Sequence, residues 1–377
     1  MTKAPSSIHP NRPKRGPLRR LRRIVDFLST FDPDQINRLL ETFDPDQINR
    51  LLESVRQSEQ KFESAQRDIK SLEQCLLNVK NLGYELGHSL AQRELRKTVT
   101  EPGSSKLNSK LCTQDDFAAE WLLYWCQELR TVPYYHRKIW ELCYICQVVF
   151  AEGKLSPGRR GLGFGCGEEP LPSLFAKYGV HVTATDLDQN RPEAEVWRLS
   201  RQHAAAAESL RRRDICPDEE SLANIEFHPV DMNSIPHDLD GQFDFCWSAC
   251  AFEHLGSLVN GLEFVENSLR TLKPGGIAVH TTEFTLDEGD TIDNHPTVLY
   301  QSRHLVEFAD QTRKKGYEVV QCDFNAGSGI LDRYIDLPPW THDLYIPPQH
   351  YAHLKLSIDG FTCTSVGVII KKPLTFS

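Results

Sequence analysis

The segment from Gly161 to Pro170, which reads Gly-Leu-Gly-Phe-Gly-Cys-Gly-Glu-Glu-Pro, constrains the fold more than any other part of the chain. It predicts a short strand, a glycine-rich turn and a helix that opens at Pro170. The next predicted strand, Val182–Asp186, ends on a carboxylate. This order is typical of a βαβ nucleotide-binding unit, because glycines let the backbone approach a ligand closely. It predicts a nucleoside-containing ligand whose ribose hydroxyls are bound by Asp186.

The glycine spacing disfavours a dinucleotide. A dinucleotide-binding turn needs the pattern G-x-G-x-x-G, and no register of this turn supplies it. The adjacent carboxylates of Glu168 and Glu169 would also repel a pyrophosphate. A ligand with an amino acid end carries an ammonium and tolerates acidic neighbours better. S-adenosylmethionine, which adds a sulfonium charge, fits that description.

The following elements continue the pattern. Ile225–Asp231 and Phe243–Ser248 read as a third and a fourth strand, and an amphipathic helix runs from about Leu258 to Leu272. Ile277–Glu283 resumes as a strand, and Phe361–Lys371 is a plausible closing strand. The alternation of strands and helices predicts an α/β sheet.

In this order the elements resemble the class I, Rossmann-like S-adenosylmethionine-dependent methyltransferases of bacterial type, over roughly residues 159–323. The resemblance implies a doubly wound sheet of about seven strands with an antiparallel closing strand, and S-adenosylmethionine as cofactor. It implies that Asp231 accepts a hydrogen bond from the adenine amino group and that Met232 packs beside the ring. The cofactor contacts carried over by position are Gly163, Phe164, Gly165, Cys166, Gly167, Glu168, Glu169, Asp186, Asp231, Met232 and Ser248.

Two positions depart from the family pattern. The family usually has an acidic residue where Gly163 stands, and a glycine where Glu169 stands. We therefore expect Glu168 or Glu169 to take over part of the contact to the ammonium of the methionine moiety.

The fourth strand ends near the methyl group in this family, which makes Glu253 and His254 the candidate catalytic residues. His254 is a candidate general base for a hydroxyl acceptor, with Glu253 orienting it or binding a substrate hydroxyl. Alternatively, both residues only shape the loop through hydrogen bonds. His280 and Glu283 on the fifth strand are weaker candidates. Because no cluster of ligands has metal-site spacing, no metal is expected.

The acceptor is predicted by weaker signals. Ser248–Phe252 lacks the proline and aromatic motif that amino methyltransferases use on planar bases. The chain is also acidic, with a net charge of −9. Both observations disfavour nucleic acid as a partner. Arg137–Glu141 and Gly163–Leu171 look similar to bacterial methyltransferases of surface polysaccharides. We expect O-methylation of a sugar or another small hydroxylated metabolite. The alternatives are a catalytically degenerate scaffold and, less favoured, a nicotinamide-dependent oxidoreductase.

The N-terminal part predicts a helical arm. Residues 1–16 read as a disordered basic tail, and residues 17–30 as a basic amphipathic helix that either contacts an anionic membrane or is solvated. The eleven residues Phe31–Glu41 recur as Phe43–Glu53, and heptad-like leucines follow. Residues 31–97 are therefore a candidate coiled coil or homo-oligomer interface, on which the scaffold alternative also depends.

The rest of the map completes the domain prediction. The arm spans residues 17–100, residues 101–114 form a linker, and residues 115–377 form the catalytic domain. Within that domain, residues 115–152 are predicted capping helices and residues 325–354 a substrate-loop insertion. Candidate contacts in the insertion are Arg333, Tyr334, Trp340, His342 and Asp343. Eleven scattered cysteines and the lack of a secretory signal indicate a cytoplasmic protein, and residues 17–30 offer a peripheral contact with the inner membrane as an alternative location.

Overall fold

The computed structural model describes residues 45–191, 203–204, 206–340, 347 and 350–375. The basic tail 1–16, the helix expected over residues 17–30 and the first repeat copy Phe31–Glu41 lie outside the described residues. His342 and Asp343 of the expected substrate loop lie outside them as well.

Helix α1 spans Pro45–Glu94, starting within the second repeat copy, with Asp46 in its first turn. The chain divides into two compact units between Cys75 and Leu76, within this helix, whereas the sequence suggested a division near residue 100. Large apolar side chains are exposed along the helix, namely Phe62, Ile69, Leu72, Leu77, Val79, Leu82 and Leu86. A coiled coil or oligomer formed by these residues stays a prediction.

The last turns of α1 belong to the core of the second unit. Tyr84, Leu90 and Ala91 are buried in its main hydrophobic cluster. Lys80 Nζ lies 2.6 Å from Asp336 Oδ1, with both side chains at most 1% exposed. Tyr84 donates a hydrogen bond of 2.9 Å to Asp336, and His353 Nδ1 lies 2.7 Å from the same carboxylate. This part of the helix is therefore fastened by buried polar contacts.

The remaining helices are short. They are α2 (Gln114–Phe117), α3 (Glu120–Glu128), α4 (Arg137–Ala151), α5 (Leu171–Lys177), α6 (Glu219–Leu222), α7 (Leu258–Ser268) and α8 (Ser302–Lys314). Helix α4 buries eleven of its 15 residues because it packs against the sheet. Its N-terminal cap, His136, accepts a hydrogen bond from the backbone N–H of Lys138.

One mixed sheet organises the second unit. Its described strands are β1 (Ser109–Leu111), β2 (Arg160–Gly163), β3 (His181–Asp186), β4 (Ile225–Pro229), β5 (Phe243–Ala249), β6 (Leu272–Thr285), β7 (Glu318–Val319), β8 (Cys322–Asp323), β9 (Ile335–Asp336), β10 (Lys355–Ile358) and β11 (Phe361–Lys371). The order is β4-β3-β2-β5-β6-β11-β1-β8; β7 and β10 also pair with β11, and β9 pairs with β10.

The predicted α/β, Rossmann-like architecture is confirmed. Strands β2 to β6 are parallel to their neighbours, and β11 closes the sheet antiparallel to β6. The described sheet has eleven strands rather than about seven, because the short strands β1, β8, β9 and β10 extend it at the closing side. Strand β1 lies within the segment expected to be a linker. The parallel strands bring their carboxyl ends to one edge, where ligands bind in such sheets.

Among the described residues, we find no helix that combines the length and the apolarity needed to cross a bilayer.

We predict that replacing Lys80 by methionine destabilises the second unit by about 3–5 kcal/mol, because the buried carboxylate of Asp336 loses its counter-charge. The exposed Lys70 of the same helix provides a matched control, since Lys70→Met removes an equivalent charge at the surface. Urea unfolding of the full chain measures both changes. The double variant with Asp336→Leu should recover part of the loss. Equal unfolding free energies for Lys80→Met and Lys70→Met would contradict the assignment.

Candidate cofactor and acceptor site

A cavity of about 690 Å³ opens at the carboxyl edge of the parallel strands. Loops after β2, β3, β4 and β5 form its base, and the start of α4 forms one wall. Its lining comprises Lys138, Glu141, Leu142, Gly165, Cys166, Gly167, Glu168, Glu169, Pro170, Asp186, Leu187, Arg191, Val230, Asp231, Met232, Asn233, Ala249, Cys250, Ala251, His254, Leu255 and Gly256. The size is within the range of roughly 300–1,000 Å³ typical of small-molecule sites.

The glycine-rich turn after β2 needs glycine for two reasons. Gly165 and Gly167 have φ values of 59° and 52°, in the left-handed region that disfavours a side chain. A Cβ at Gly165 would also lie 2.9 Å from Cβ of Ala251 and 3.2 Å from Sδ of Met232. The turn therefore passes close to the loops after β4 and β5 and leaves backbone facing the cavity.

Asp186, at the end of β3, is held by the backbone around it. Its Oδ2 accepts hydrogen bonds from the N–H groups of Gly167 at 3.1 Å and Ala204 at 3.0 Å. Its Oδ1 accepts one from Leu187 at 2.7 Å. Burial raises the pKa of Asp186, and these backbone donors oppose that shift. The carboxylate is thus fixed at the cavity wall, with an acceptor position left on Oδ1 for a ligand hydroxyl.

Asp231 and Met232 follow β4 on the same wall. Asp231 Oδ1 accepts a hydrogen bond of 2.9 Å from the backbone N–H of Asn233. Arg191 Nη2 lies 3.6 Å from Asp231 Oδ2. The thioether of Met232 borders the glycine turn. A carboxylate beside an apolar, polarisable side chain suits the amino edge and the face of an adenine.

Glu169 occupies an unusual environment. Its Oε1 accepts a hydrogen bond of 2.6 Å from Nε1 of Trp247. Burial raises the pKa of Glu169 to about 8. The same indole covers Gly163, where an added Cβ would lie 2.4 Å from Cζ2 of Trp247. The ring of Trp247 thus fills the space beside position 163, and the carboxylate comes from position 169.

Three predicted cofactor contacts do not line the cavity. Gly163 lies beneath Trp247, and Phe164 packs edge-to-face against Phe264 in the core. Ser248 Oγ lies 2.8 Å from Nδ1 of His280, on the neighbouring strand. Ser248 therefore contributes to a buried polar contact within the sheet, and Ala249 and Cys250 line the cavity in its place.

His280, a weaker candidate for catalysis, is part of that buried contact. Its Nε2 lies 3.1 Å from Oγ of Ser268 on helix α7. Burial lowers the pKa of His280 to about 3, so the ring is neutral at physiological pH. It lies outside the cavity lining and is a core residue.

His254 lines the cavity, and its ring is held at Nδ1. Its Nδ1 lies 2.9 Å from the carbonyl oxygen of Pro296 and 3.2 Å from Oγ1 of Thr297. The fully buried Glu253 places Oε1 4.0 Å from Nε2, beyond hydrogen-bond distance. The ring is therefore oriented by Pro296, whereas the sequence suggested Glu253 for that role.

The wall formed by α4 carries the charges of Lys138 and Glu141, which sequence reasoning did not assign to the site. Arg137 contacts Glu283 at 2.5 Å and Glu141 at 3.2 Å, and all three side chains are buried. Lys138 Nζ lies 3.3 Å from Glu141, and both residues line the cavity. The spacing of Arg137, Lys138 and Glu141 on a predicted capping helix is the signal that could have found them.

The expected substrate loop contributes differently. Tyr334 packs against Gly83 of α1, and its hydroxyl lies 3.5 Å from the carbonyl of Lys80. Trp340 donates a hydrogen bond of 3.2 Å to the carbonyl of Asp336. Arg333, Tyr334 and Trp340 are not among the described residues that line the cavity. This part of the insertion therefore holds α1.

Comparison with known families adds to the geometry. Residues 162–280 match the family model described as a methyltransferase domain, a range that contains the glycine turn, Asp186, Asp231 and His254. This match confirms the predicted resemblance to the class I S-adenosylmethionine-dependent methyltransferases over residues 162–280. S-adenosylmethionine is the cofactor of this methyltransferase domain, as the sequence predicted. None of the curated proteins matches the chain in sequence.

Solved structures similar to this methyltransferase are distant. A putative sarcosine dimethylglycine methyltransferase from Galdieria sulphuraria is 16% identical, with 63% of this chain and 85% of that chain covered and a TM-score of 0.39. The 1,6-didemethyltoxoflavin-N1-methyltransferase of Burkholderia thailandensis is 13% identical (62% and 78% covered, TM-score 0.36). A putative methyltransferase from Bacillus halodurans C-125 is 16% identical (62% and 98%, TM-score 0.35). Similarities this distant say nothing about the acceptor.

The described residues fit the cofactor. The glycine turn leaves no side chain at Gly165 or Gly167, and the cavity offers carboxylates at Glu169, Asp186 and Asp231. Such a set of acceptors suits an ammonium, a ribose hydroxyl and an adenine amino group, all of which are hydrogen-bond donors.

We predict that Gly165→Ala weakens binding of S-adenosylhomocysteine at least tenfold, because the added methyl group enters the gap between the turn and Ala251. Gly153→Ala is the matched control, since Gly153 has a φ of 68° but open space around its Cβ position. Both variants should lose similar stability from backbone strain, on the order of 1–2 kcal/mol. Calorimetric titration and thermal melting separate the two effects. Equal affinities for both variants would show that the turn does not border the cofactor.

Proposed function

We propose that this methyltransferase transfers the methyl group of S-adenosylmethionine to a hydroxyl of a sugar or another small hydroxylated metabolite. The observation that carries the proposal is the place of His254, whose ring lines the cavity and is held at Nδ1 by the carbonyl of Pro296. A hydroxyl acceptor needs a proton acceptor of this kind when it attacks the methyl carbon.

In the proposed binding mode, each carboxylate of the cavity holds one part of the cofactor. Asp186 binds the ribose hydroxyls, and Asp231 with Met232 binds the adenine. Glu169 binds the ammonium of the methionine moiety, in place of the acidic residue that the family usually has at position 163. Its contact with Trp247 at 2.6 Å supports this role, because the indole fixes the carboxylate at the edge of the cavity.

Methyl transfer from a sulfonium is an in-line displacement that depends on positioning. The cofactor supplies the electrophilic methyl group. The chain's own contribution is to hold the acceptor between the loop after β5 and the start of α4. Lys138 and Glu141 on that wall offer a donor and an acceptor for further hydroxyls of a polar acceptor. His254 takes the proton that the attacking hydroxyl loses.

Two further proposals concern the N-terminal part of the chain. Residues 31–97 are proposed to mediate homo-oligomerisation, and residues 17–30 to make a peripheral membrane contact from the cytoplasmic side. The exposed apolar side chains of α1 support the first of these.

We expect binding of S-adenosylhomocysteine at pH 7 to release most of one proton. Glu169 has a pKa of about 8 in the free protein, and an adjacent ammonium lowers it by favouring the ionised carboxylate. Affinity should therefore rise with pH up to about 8. Titrations in two buffers of different ionisation enthalpy count the released protons. Glu169→Gln should weaken binding and abolish the release; Glu168→Gln, on an exposed neighbour, is the control. If the Glu169→Gln variant released the same number of protons, another residue would bind the ammonium of the methionine moiety.

Replacing His254 by alanine should lower kcat by roughly 10²- to 10⁴-fold with an accepted hydroxylated substrate, because the proton acceptor is lost. The affinity for S-adenosylhomocysteine should stay unchanged. His228→Ala provides a control on an exposed histidine of β4. The enzyme is incubated with S-adenosylmethionine and each member of a panel of sugars and polyols. The rate at which S-adenosylhomocysteine forms identifies the acceptor. A full rate in His254→Ala would remove the proposed base, and cofactor binding without turnover of any acceptor would favour the scaffold alternative.

A further inference from the structure

A buried cluster lies just behind the cavity wall. Sγ of Cys250 and one carboxylate oxygen each of Glu253 and Glu283 lie within 4.8 Å of one another. The three residues are 8%, 0% and 5% exposed. Cys250 also lines the cavity, so the cluster borders the space assigned to the acceptor. The proposed mechanism leaves Cys250 and Glu283 without a role.

Each carboxylate is held at one oxygen and has no hydrogen-bond partner at the other. Glu253 Oε2 accepts from the hydroxyl of Thr282 at 3.0 Å, and Glu283 Oε1 contacts Arg137 at 2.5 Å. Glu253 Oε1 and Glu283 Oε2 are buried without a hydrogen-bond partner among the described residues. Leaving buried carboxylate oxygens unpaired is costly. A carboxylate fixed by a donor at one oxygen and open at the other is the usual arrangement of a metal ligand with its supporting contact.

The backbone at Cys250 is also unusual. It has a φ of 46°, in the left-handed region, and its N–H is held by the carbonyl of Thr281 at 3.0 Å and the hydroxyl of Thr281 at 3.1 Å. A cysteine in this conformation is disfavoured unless its surroundings impose it. Such strain concentrates where a side chain must be aimed at a particular place.

The local charges leave room for a cation. The carboxylates of Glu141, Glu253 and Glu283 face two basic groups, Arg137 and Lys138, so one negative charge is in excess. Ionisation of the Cys250 thiol together with one divalent cation would make the cluster neutral. Thiolate and carboxylate oxygen together suit zinc and similar transition metals better than magnesium or calcium.

We propose that Cys250, Glu253 and Glu283 bind one divalent transition metal ion of the zinc class. Three protein ligands leave a fourth position of a tetrahedral ion open, as in catalytic zinc sites. Because Cys250 lines the cavity, that position faces the acceptor side. A metal there would bind the acceptor's oxygen and lower the pKa of its hydroxyl; this last assignment rests on the proposed function, whereas metal binding does not.

The test uses the full chain carrying Cys75→Ser, which removes an exposed thiol that would bind metal nonspecifically. After treatment with a chelator, the protein is titrated with Co²⁺ and followed by its absorption spectrum, and Zn²⁺ then competes for the site. We expect one equivalent of Co²⁺, a thiolate-to-metal charge-transfer band and displacement by Zn²⁺. Cys250→Ser should lose the band, and Glu253→Gln and Glu283→Gln should weaken binding at least tenfold.

Matched controls keep the result interpretable. Cys322→Ser changes a half-buried thiol of β8, and Glu266→Gln a surface carboxylate of α7; both should bind Co²⁺ like the parent. The glutamine variants keep a group that accepts from Thr282 or Arg137, and thermal melting checks that they fold. A folded parent that binds no Co²⁺, or a Cys250→Ser variant with an unchanged band, would overturn the proposal.

Binding of S-adenosylhomocysteine is measured on the same samples. Cofactor binding without metal binding would reject only the metal site. Metal binding without cofactor binding would reject the proposed function and leave the metal site standing.

Discussion

The site depends on the contacts that the buried guanidinium of Arg137 makes. This group joins three elements, since it contacts Glu141 within α4, Glu283 on β6 and Oγ of Ser365 on β11 at 3.2 Å. Helix α4 thereby takes a fixed position over the junction of the parallel strands and the antiparallel closing strand. An arginine in this place is stable only with its carboxylates around it, because an unpaired buried charge is very costly. The wall of the cavity is therefore set by an ionic contact as well as by apolar packing.

The glycine turn shows how a family site keeps its chemistry after its residues change. The usual acidic position is Gly163, and the space beside it is filled by the indole of Trp247. Glu169 then supplies a carboxylate from the other end of the turn, held by the same indole. The three residues depend on one another, because Trp247 occupies the space beside Gly163 and also holds the carboxylate of Glu169. In the proposed binding mode, the departure from the family pattern is thus a substitution of one carboxylate for another.

The sequence predicted the parts of this protein that depend on local patterns. The turn after β2, the carboxylates at the ends of β3 and β4, and the position of His254 follow from strand order, because parallel strands bring their carboxyl ends together. Ser248 was wrongly expected in the cavity: its hydroxyl pairs with His280 across β5 and β6, a contact that depends on register. Lys80 lies in the segment expected to be a helical arm, but its partner Asp336 is 256 positions away. The place of Tyr334 was not predictable for the same reason, since its contacts with Gly83 and Lys80 of α1 are tertiary.

The contact between Trp247 and Gly163 also restricts the order in which this sequence can change. Restoring the family's acidic residue at position 163 alone would push a side chain into the indole, and restoring glycine at position 169 alone would remove the carboxylate. A side chain at position 163 therefore needs both Trp247 and Cys166 to give way, since an added Cβ would lie 2.4 Å from each of them. The three positions are therefore coupled through side-chain volume. We expect substitutions at positions 163, 169 and 247 to be tolerated in combination and not singly.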